Sequence, residues 1–471
     1  MSAPAQLLIG GRRLAPAAAP IDVVDPATGE VFAQAPAASP AQLEAAVRSA
    51  AAAFVDWSRS SHARRRDALE RIADRIEAAG AELAELIVCE QGKPLALAQM
   101  EVGAAVAWTR ATAVLEIPVE LIEDSVARRI ELQRRPFGVV ASITPWNWPL
   151  LIAVWHYMPA LRAGNTLVAK PSELTPLATL RLIELMNEVL PAGVVNSVPG
   201  GAEIGQAMAS HGGIGKLVFT GSTPTGQDIM RRGAINLKRL TLELGGNDAG
   251  IVLRGADIDA IAPALFASAF LNMGQTCAAL KRLYVHESQY EAVCARLAEI
   301  AASQVLGPGL DPATTFGPVQ NARQLRRVAE LVGDARARGA RVLCGGVAGA
   351  GAGFFYPPTV VADLPDEARL VQEEQFGPVL PVLRYTEVDD AVARANAVSL
   401  GLGGSVWGSD PEQARSVGER LECGTVWING HAEVLPHCPF GGCKLSGFGV
   451  EFGLEGLLEY TTPQLINIHR G

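Results

Sequence analysis

The chain has 471 residues, 49% of them hydrophobic, a formal net charge of −9 and a pI near 5.4. That length exceeds what one core supports, so two or three domains are expected, and the acidic balance argues against nucleic acid or an anionic membrane surface as the main partner. No stretch reaches membrane-spanning length, and the amino terminus lacks a charged-then-apolar export pattern, so a cytoplasmic protein is expected.

Residues 1–38 are rich in Ala and Pro, and Asp25-Pro26-Ala27-Thr28-Gly29-Glu30 reads as a turn between two short strands. Ser39-Pro40-Ala41-Gln42 supplies an N-cap, a Pro at the first helical position and a Gln that completes a capping box. Helical patterns then run to about Glu116, broken near Gly80 and at Gly92-Lys93-Pro94. The basic residues Arg128, Arg129, Arg134 and Arg135 read as a solvated strand edge or a subunit contact.

From Ile130 the texture changes. Strand-like runs at 139–143, 166–169, 194–198 and 216–219 alternate with helical patterns near 175–190, 203–210 and 225–232, which implies a parallel sheet with a ligand edge at the strand ends. Three polar loops would share that edge: Lys170-Pro171-Ser172-Glu173, the Gly200–Gly205 turn and Phe219-Thr220-Gly221-Ser222-Thr223-Pro224-Thr225-Gly226. The last joins a strand to a helix start, where free backbone N–H groups favour an anion such as a pyrophosphate, although its two glycines suit a plain turn equally.

Apolar residues at 262, 265, 266, 269, 270 and 273 follow one helix face, and Gly274 is expected to end it, leaving Cys277 just beyond a buried helix. A second alternating section follows, with strands at 283–285 and 379–383 and a mobile surface loop at 345–353. The tail, 460–468, alternates as a strand able to pair with the Ile130 region or another subunit. The seven cysteines (89, 277, 294, 344, 423, 438, 443) form no Cys-x-x-Cys pair, so reduced thiols are expected.

Four segments carry the chemistry: Pro145-Trp146-Asn147-Trp148-Pro149, Glu243-Leu244-Gly245-Gly246, Gly274-Gln275-Thr276-Cys277 and Glu373-Glu374-Gln375-Phe376-Gly377-Pro378. Singly, Asn147 suits a turn, Glu243 a structural carboxylate, Glu374 a cap and Cys277 a small core residue. Together, and with Pro439-Phe440-Gly441-Gly442-Cys443-Lys444-Leu445-Ser446-Gly447, they resemble in order and spacing the aldehyde dehydrogenase superfamily over essentially the whole chain.

The resemblance implies an α/β fold of three parts: a Rossmann-like cofactor domain (1–115 and 137–245), an α/β catalytic domain (246–445) and a small strand unit (116–136 and 460–471) that bridges subunits of a homodimer or homotetramer. It implies that Cys277 attacks an aldehyde, that Asn147 and the Cys277 N–H hold the oxyanion, and that Glu243 activates water to hydrolyse the thioester. The cofactor set it implies comprises Ile143, Thr144, Pro145, Trp146, Lys170, Ser172, Glu173, Gly201, Gly205, Phe219, Gly221, Ser222, Thr225, Leu244, Gly245, Glu374 and Phe376. Glu173 would accept from a ribose 2′-hydroxyl and repel a 2′-phosphate, favouring NAD over NADP. Trp148, Trp155 and Phe440 match an aromatic substrate funnel, suited to an apolar or aromatic aldehyde. A CoA-acylating relative and a silent binding paralogue are the competing readings; the presence of Glu243, and of Cys277 and Asn147, argues against them in turn.

Three departures from the family pattern stand out. His156 stands where Lys is common and is expected to form a pH-sensitive pair with Glu451 near Glu243. Val450 replaces a common Arg. His431, His437, Cys438 and Cys443 have the donor types of a zinc site but not its paired spacing, so no metal is expected. Cys277 is expected to have a depressed pKa.

Overall fold

The computed structural model describes residues 6–470. Two hairpins open the chain, β1 (Leu7–Ile9) with β2 (Arg12–Leu14) and β3 (Ile21–Asp25) with β4 (Glu30–Ala35), the second closed by the 25–30 turn. Four helices follow: α1 (Pro40–Trp57), α2 (His62–Ala78), α3 (Gly80–Gln91) and α4 (Leu95–Val114). The capping box at Ser39 and Gln42 forms as its spacing requires, and Gly92, at φ 92°, ends α3 in the left-handed region. A break at 58–61, where the Ser61 side chain accepts from the Arg64 N–H, adds a helix boundary that the Ala-rich pattern conceals.

β5 (Glu120–Asp124) and β6 (Arg128–Pro136) form an antiparallel arm. The chain then winds β7 (Val139–Ile143), α5 (Pro149–Arg162), β8 (Thr166–Lys170), α6 (Leu177–Asn187), β9 (Val195–Ser197), α7 (Ala202–Ser210), β10 (Lys216–Thr220), α8 (Thr223–Gly233) and β11 (Arg239–Glu243). The parallel strands lie in the order β11-β10-β7-β8-β9. β7, β8 and β10 are buried along their whole length, because one face packs on α2 to α6 and the other on α1, α7 and α8.

The second sheet begins with β12 (Asp248–Val252); α9 (Ile258–Phe270) leads through the Cys277 turn to β13 (Leu280–His286), then α10 (Tyr290–Ala302) and α11 (Ala322–Ala337). β14 (Arg341–Cys344), β15 (Thr359–Ala362), β16 (Val379–Tyr385), β18 (Gly403–Trp407) and β19 (Thr425–Ile428) complete it in the order β14-β15-β16-β13-β12-β18-β19, while β17 (Leu400–Gly401) pairs with β20 (Cys443–Lys444). β21 (Gly447–Phe448) returns to pair with β11, opposite Leu242 and Glu243. Finally β22 (Thr461–His469) pairs with β6 from Pro136 to Arg128. Residues 345–353 form a loop without regular structure.

One boundary differs from the pattern. α9 ends at Phe270 rather than running to Gly274, and Asn272 and Met273 take left-handed backbone angles (φ 52° and 56°). The apolar spacing continues into this stretch because Met273 is buried, but polar contacts to the turn override the helical period.

Candidate active site

The ends of the parallel strands set out one polar edge. Ile143 lies opposite both Lys170 and Phe219, and Thr220 lies opposite Glu243. The chain leaves β7 toward β8 and β9 in one direction and returns to β10 and β11 in the other, which opens the crevice where such sheets take ligands. Thr144, Pro145, Trp146, Ser172, Glu173, Gly221, Ser222 and Gly245 stand on the loops at this edge, Thr225 in the first turn of α8, and Gly201 and Gly205 at the start of α7. Ile143, Phe219 and Leu244 lie in the core beneath it.

Lys170 is buried and donates to the carbonyl of Gly200 at 2.6 Å; its Nζ is 3.5 Å from Oε2 of the exposed Glu173. Ser222 is the N-cap of α8, but its hydroxyl meets Thr225 Oγ1 at 2.9 Å instead of capping the helix, so the first-turn N–H groups stay open to an anion. Glu374 Oε1 accepts the Gly246 N–H at 3.1 Å, and a Cβ at Gly245 would lie 2.4 Å from Glu374 Oε2, so a side chain there would displace this carboxyl. Burial raises the Glu374 carboxyl to about 7 against the opposing charge of Lys281. Trp146 and Phe376 meet edge to face, with centroids 5.3 Å apart. An anion-ready helix start, a buried carboxyl beside Gly245 and Gly246 and paired rings fit a nicotinamide dinucleotide.

The Cys277 turn is held from both sides. Three consecutive left-handed residues end at Gly274 (φ 71°), where a Cβ would lie 2.2 Å from the Gly377 carbonyl oxygen. The buried Lys281 donates to the carbonyls of Gly274 at 3.0 Å and Thr276 at 2.6 Å. Asn147 Nδ2 donates to the Gln275 carbonyl at 3.0 Å, and Asn272 Nδ2 donates to the Asn147 carbonyl at 2.8 Å. Among the described residues the Cys277 N–H has no hydrogen-bond partner, and one Asn147 amide hydrogen remains beyond its bond to Gln275.

Glu243 is buried with no partner for Oε1, and burial, aided by the charge of Glu451, holds its carboxyl well above the usual range. The Cys277 thiol is not depressed, as the sequence suggests, but pushed up to about 12. Burial dominates, the carboxylates of Glu243 and Asp248 add to it, and Lys281 is the cation that opposes them.

Aromatic rings crowd this thiol. Phe440 and Phe452 form a cluster with Trp108, Trp155, Trp427 and Cys277. Trp155 lies 4.8 Å and Trp108 5.8 Å from Phe452 between centroids. Of the three expected funnel residues, Trp155 and Phe440 share the Cys277 cluster. Trp148 lies apart: its Nε1 donates to Thr276 Oγ1 at 3.0 Å, and Lys93 Nζ sits 3.7 Å above its ring. Trp108 escapes a sequence reading because it sits in an Ala-rich helix; Phe452 stands immediately after Glu451 and is traceable from it.

His156 and Glu451 do meet, with Nε2 and Oε1 3.3 Å apart and both side chains buried. His156 also lies 2.8 Å from Ser142 Oγ through Nδ1 and 3.0 Å from Thr220 Oγ1 through Nε2. His431 is buried, 2.9 Å from Ser405 Oγ, whereas His437 and Cys438 are exposed and Cys443 lies against the Gly401 and Glu422 carbonyls. Among the described residues no three His, Cys, Asp or Glu side chains form a metal-binding group, and no helix is long and apolar enough to cross a membrane.

The family model described as "Aldehyde dehydrogenase family" matches residues 14–466. The phenylacetaldehyde dehydrogenase of Pseudomonas fluorescens is 42% identical, over 99% of this chain and 96% of its own. The NAD+ complex of an aldehyde dehydrogenase from Bacillus cereus superposes with a TM-score of 0.97 at 35% identity, covering 100% of this chain and 97% of that one. An NADP-dependent enzyme of E. coli superposes with a TM-score of 0.97 at 36% identity, over 99% and 98%. The chain therefore belongs to the aldehyde dehydrogenase family: it is an enzyme of aldehyde oxidation that uses a nicotinamide cofactor.

Proposed function

We propose that the protein oxidises an apolar or aromatic aldehyde to its carboxylic acid with NAD as the preferred oxidant, through a covalent intermediate on Cys277. The observation that carries this reading is the convergence on one turn of the thiol, the free Cys277 N–H, the spare Asn147 amide hydrogen and the buried carboxyl of Glu243. The Cys277 thiol loses its proton to solvent, its sulfur bonds to the aldehyde carbon, and the carbonyl electrons move to oxygen, where Asn147 and the Cys277 N–H stabilise the oxyanion. A nicotinamide cofactor, held by Glu374 and the open N–H groups of α8, would supply the hydride acceptor that this carbon needs to reach the thioester level. Water then attacks, its proton passes to Glu243, and the sulfur leaves as the acid is released.

Lys170 and Glu173 would hold the adenosine ribose, the open N–H groups of α8 the pyrophosphate, and Glu374 the nicotinamide ribose. The carboxylate of Glu173 supports NAD, because it repels a 2′-phosphate. The buried aromatic and aliphatic side chains packed with Cys277 support the substrate class. Seven free thiols support a reducing, cytoplasmic setting. The β5–β6–β22 arm, with exposed Val119, Leu121, Ile122, Leu465 and Ile468 on or beside it, supports assembly into a homodimer or homotetramer. A steady-state panel of aliphatic, aromatic and charged semialdehydes with NAD and NADP tests the reading. Acid formed without CoA, fastest with aromatic aldehydes and NAD, supports it; a strict CoA requirement overturns it.

A further inference from the structure

We infer that the buried Lys93–Glu101 ion pair is a positioning device for the oxyanion-binding amide, an inference that rests on the reading of Asn147 as an oxyanion donor. Lys93 and Glu101 are both completely buried, 2.6 Å apart, at the junction of α3 and α4. Neither is spent on the other alone. Lys93 Nζ also donates to the Asn147 carbonyl at 3.0 Å and caps the Trp148 ring at 3.7 Å. The other oxygen of Glu101, Oε1, accepts the N–H groups of Leu150 and Leu151 at 3.0 and 3.1 Å, which are the open first-turn donors of α5.

The pair therefore grips the segment 147–151 at two points of opposite polarity: a carbonyl on one side of Pro149 and two N–H groups on the other. The carbonyl it grips belongs to the residue whose side chain reaches the Cys277 turn. Asn272 Nδ2 holds the same carbonyl from the catalytic side, at 2.8 Å. Asn147 thus hangs between a cation behind it and the Cys277 turn in front, with its backbone fixed before substrate arrives. A buried charge pair is costly to desolvate and is weak evidence for stability alone. Its extra bonds to residues 147–151 give it a use in fixing geometry, where a displacement of about 1 Å is enough to reduce a rate by about 100-fold.

The test compares Asn147→Ala, Lys93→Met, the charge-neutral Lys93→Met/Glu101→Gln and the combination Lys93→Met/Asn147→Ala. In Lys93→Met/Glu101→Gln the amide oxygen still accepts from Leu150 and Leu151, so no charge is left unpaired should the single variant fail to fold. Three quantities are measured on the full-length enzyme: kcat/KM, the affinity for an aryl trifluoromethyl ketone that adds to Cys277 as a tetrahedral oxyanion, and the rate of Cys277 alkylation by iodoacetamide.

The expected result is a parallel loss in kcat/KM and ketone affinity, on the order of 10-fold or more, in both Lys93 variants, with alkylation within about twofold of the parent. On the Asn147→Ala background, Lys93→Met should then add little, because its effect runs through the amide already removed. Loss of ketone affinity in Asn147→Ala but not in the Lys93 variants overturns the positioning role and leaves the oxyanion reading standing. Unchanged affinity in Asn147→Ala sinks that reading itself. Losses in the Lys93 variants that multiply fully on the Asn147→Ala background, or that reduce alkylation equally, also overturn the inference, since they mark a general structural defect.

Discussion

His156 Nε2 lies 3.3 Å from Glu451 Oε1, and the same nitrogen lies 3.0 Å from Thr220 Oγ1, whose residue is the register partner of Glu243 across β10 and β11. A buried imidazole and a buried carboxyl thus stand beside the group proposed to take a proton from water. The charge of Glu451 is one cause of the raised Glu243 carboxyl. Removing that charge in Glu451→Gln lowers the Glu243 pKa, so the acidic limb of the kcat–pH profile moves to lower pH, by about one unit. His156→Lys should alter the same limb; a profile unchanged in both variants would remove the pair from the proton path.

The thiol gives a second pH signature. With burial pushing Cys277 up to about 12 in the cofactor-free site, the thiolate fraction rises through the whole accessible range. Alkylation of the apoenzyme by iodoacetamide should therefore climb with pH without a plateau below that of a free thiol, near pH 8.5. Lys281→Met removes the opposing cation and should slow alkylation further at fixed pH. A plateau near neutral pH would show an activated thiolate in the free enzyme, against this account.

In the proposed reading, cofactor choice rests on one exposed carboxylate. Glu173→Gln deletes the charge near Lys170 while keeping a hydrogen-bonding side chain. The variant should gain on the order of 10-fold in the NADP to NAD ratio of kcat/KM. An unchanged ratio would place the discrimination elsewhere.

Glu90 supplies a stability prediction away from the chemistry. It accepts the Leu177 N–H at 2.6 Å and the Ala178 N–H at 3.0 Å, and caps α6. Burial raises its carboxyl from 4.5 to about 8 in the folded state. The folded state therefore prefers the protonated form: this contribution is fully present below pH 4.5 and is lost as pH rises to about 8, a change on the order of 5 kcal/mol at most. Glu90→Gln should flatten that decline, measured as the urea midpoint between pH 5 and 9. An equal decline in the variant would assign the pH dependence to other groups.

Much of the fold was legible because its signals are local. Alternating strands and helices between 139 and 243 and the capping box at Ser39 each rest on neighbouring residues. The course of the Cys277 turn was not legible. Met273 keeps the apolar period of α9, yet Lys281, Asn147 and Asn272 set the backbone there through contacts that no spacing rule registers. The same holds for Lys93, which reads as part of a helix break at Gly92-Lys93-Pro94 and becomes a buried cation only once Glu101 and Asn147 are brought to it. The thiol differs from its sequence expectation for a related reason: a turn after a helix suggests accessibility, whereas Glu243, Asp248 and the aromatic cluster enclose it.

Covalent catalysis by Cys277 with Glu243 as the base for hydrolysis is tested most directly by trapping. Glu243→Gln, mixed with NAD and an aromatic aldehyde, should release about one NADH per active site in a burst and then turn over slowly, because acylation proceeds and deacylation does not. Intact-mass and peptide analysis should locate the acyl group on Cys277. A variant that turns over at the parent rate, or a burst that leaves no adduct on Cys277, would contradict the account.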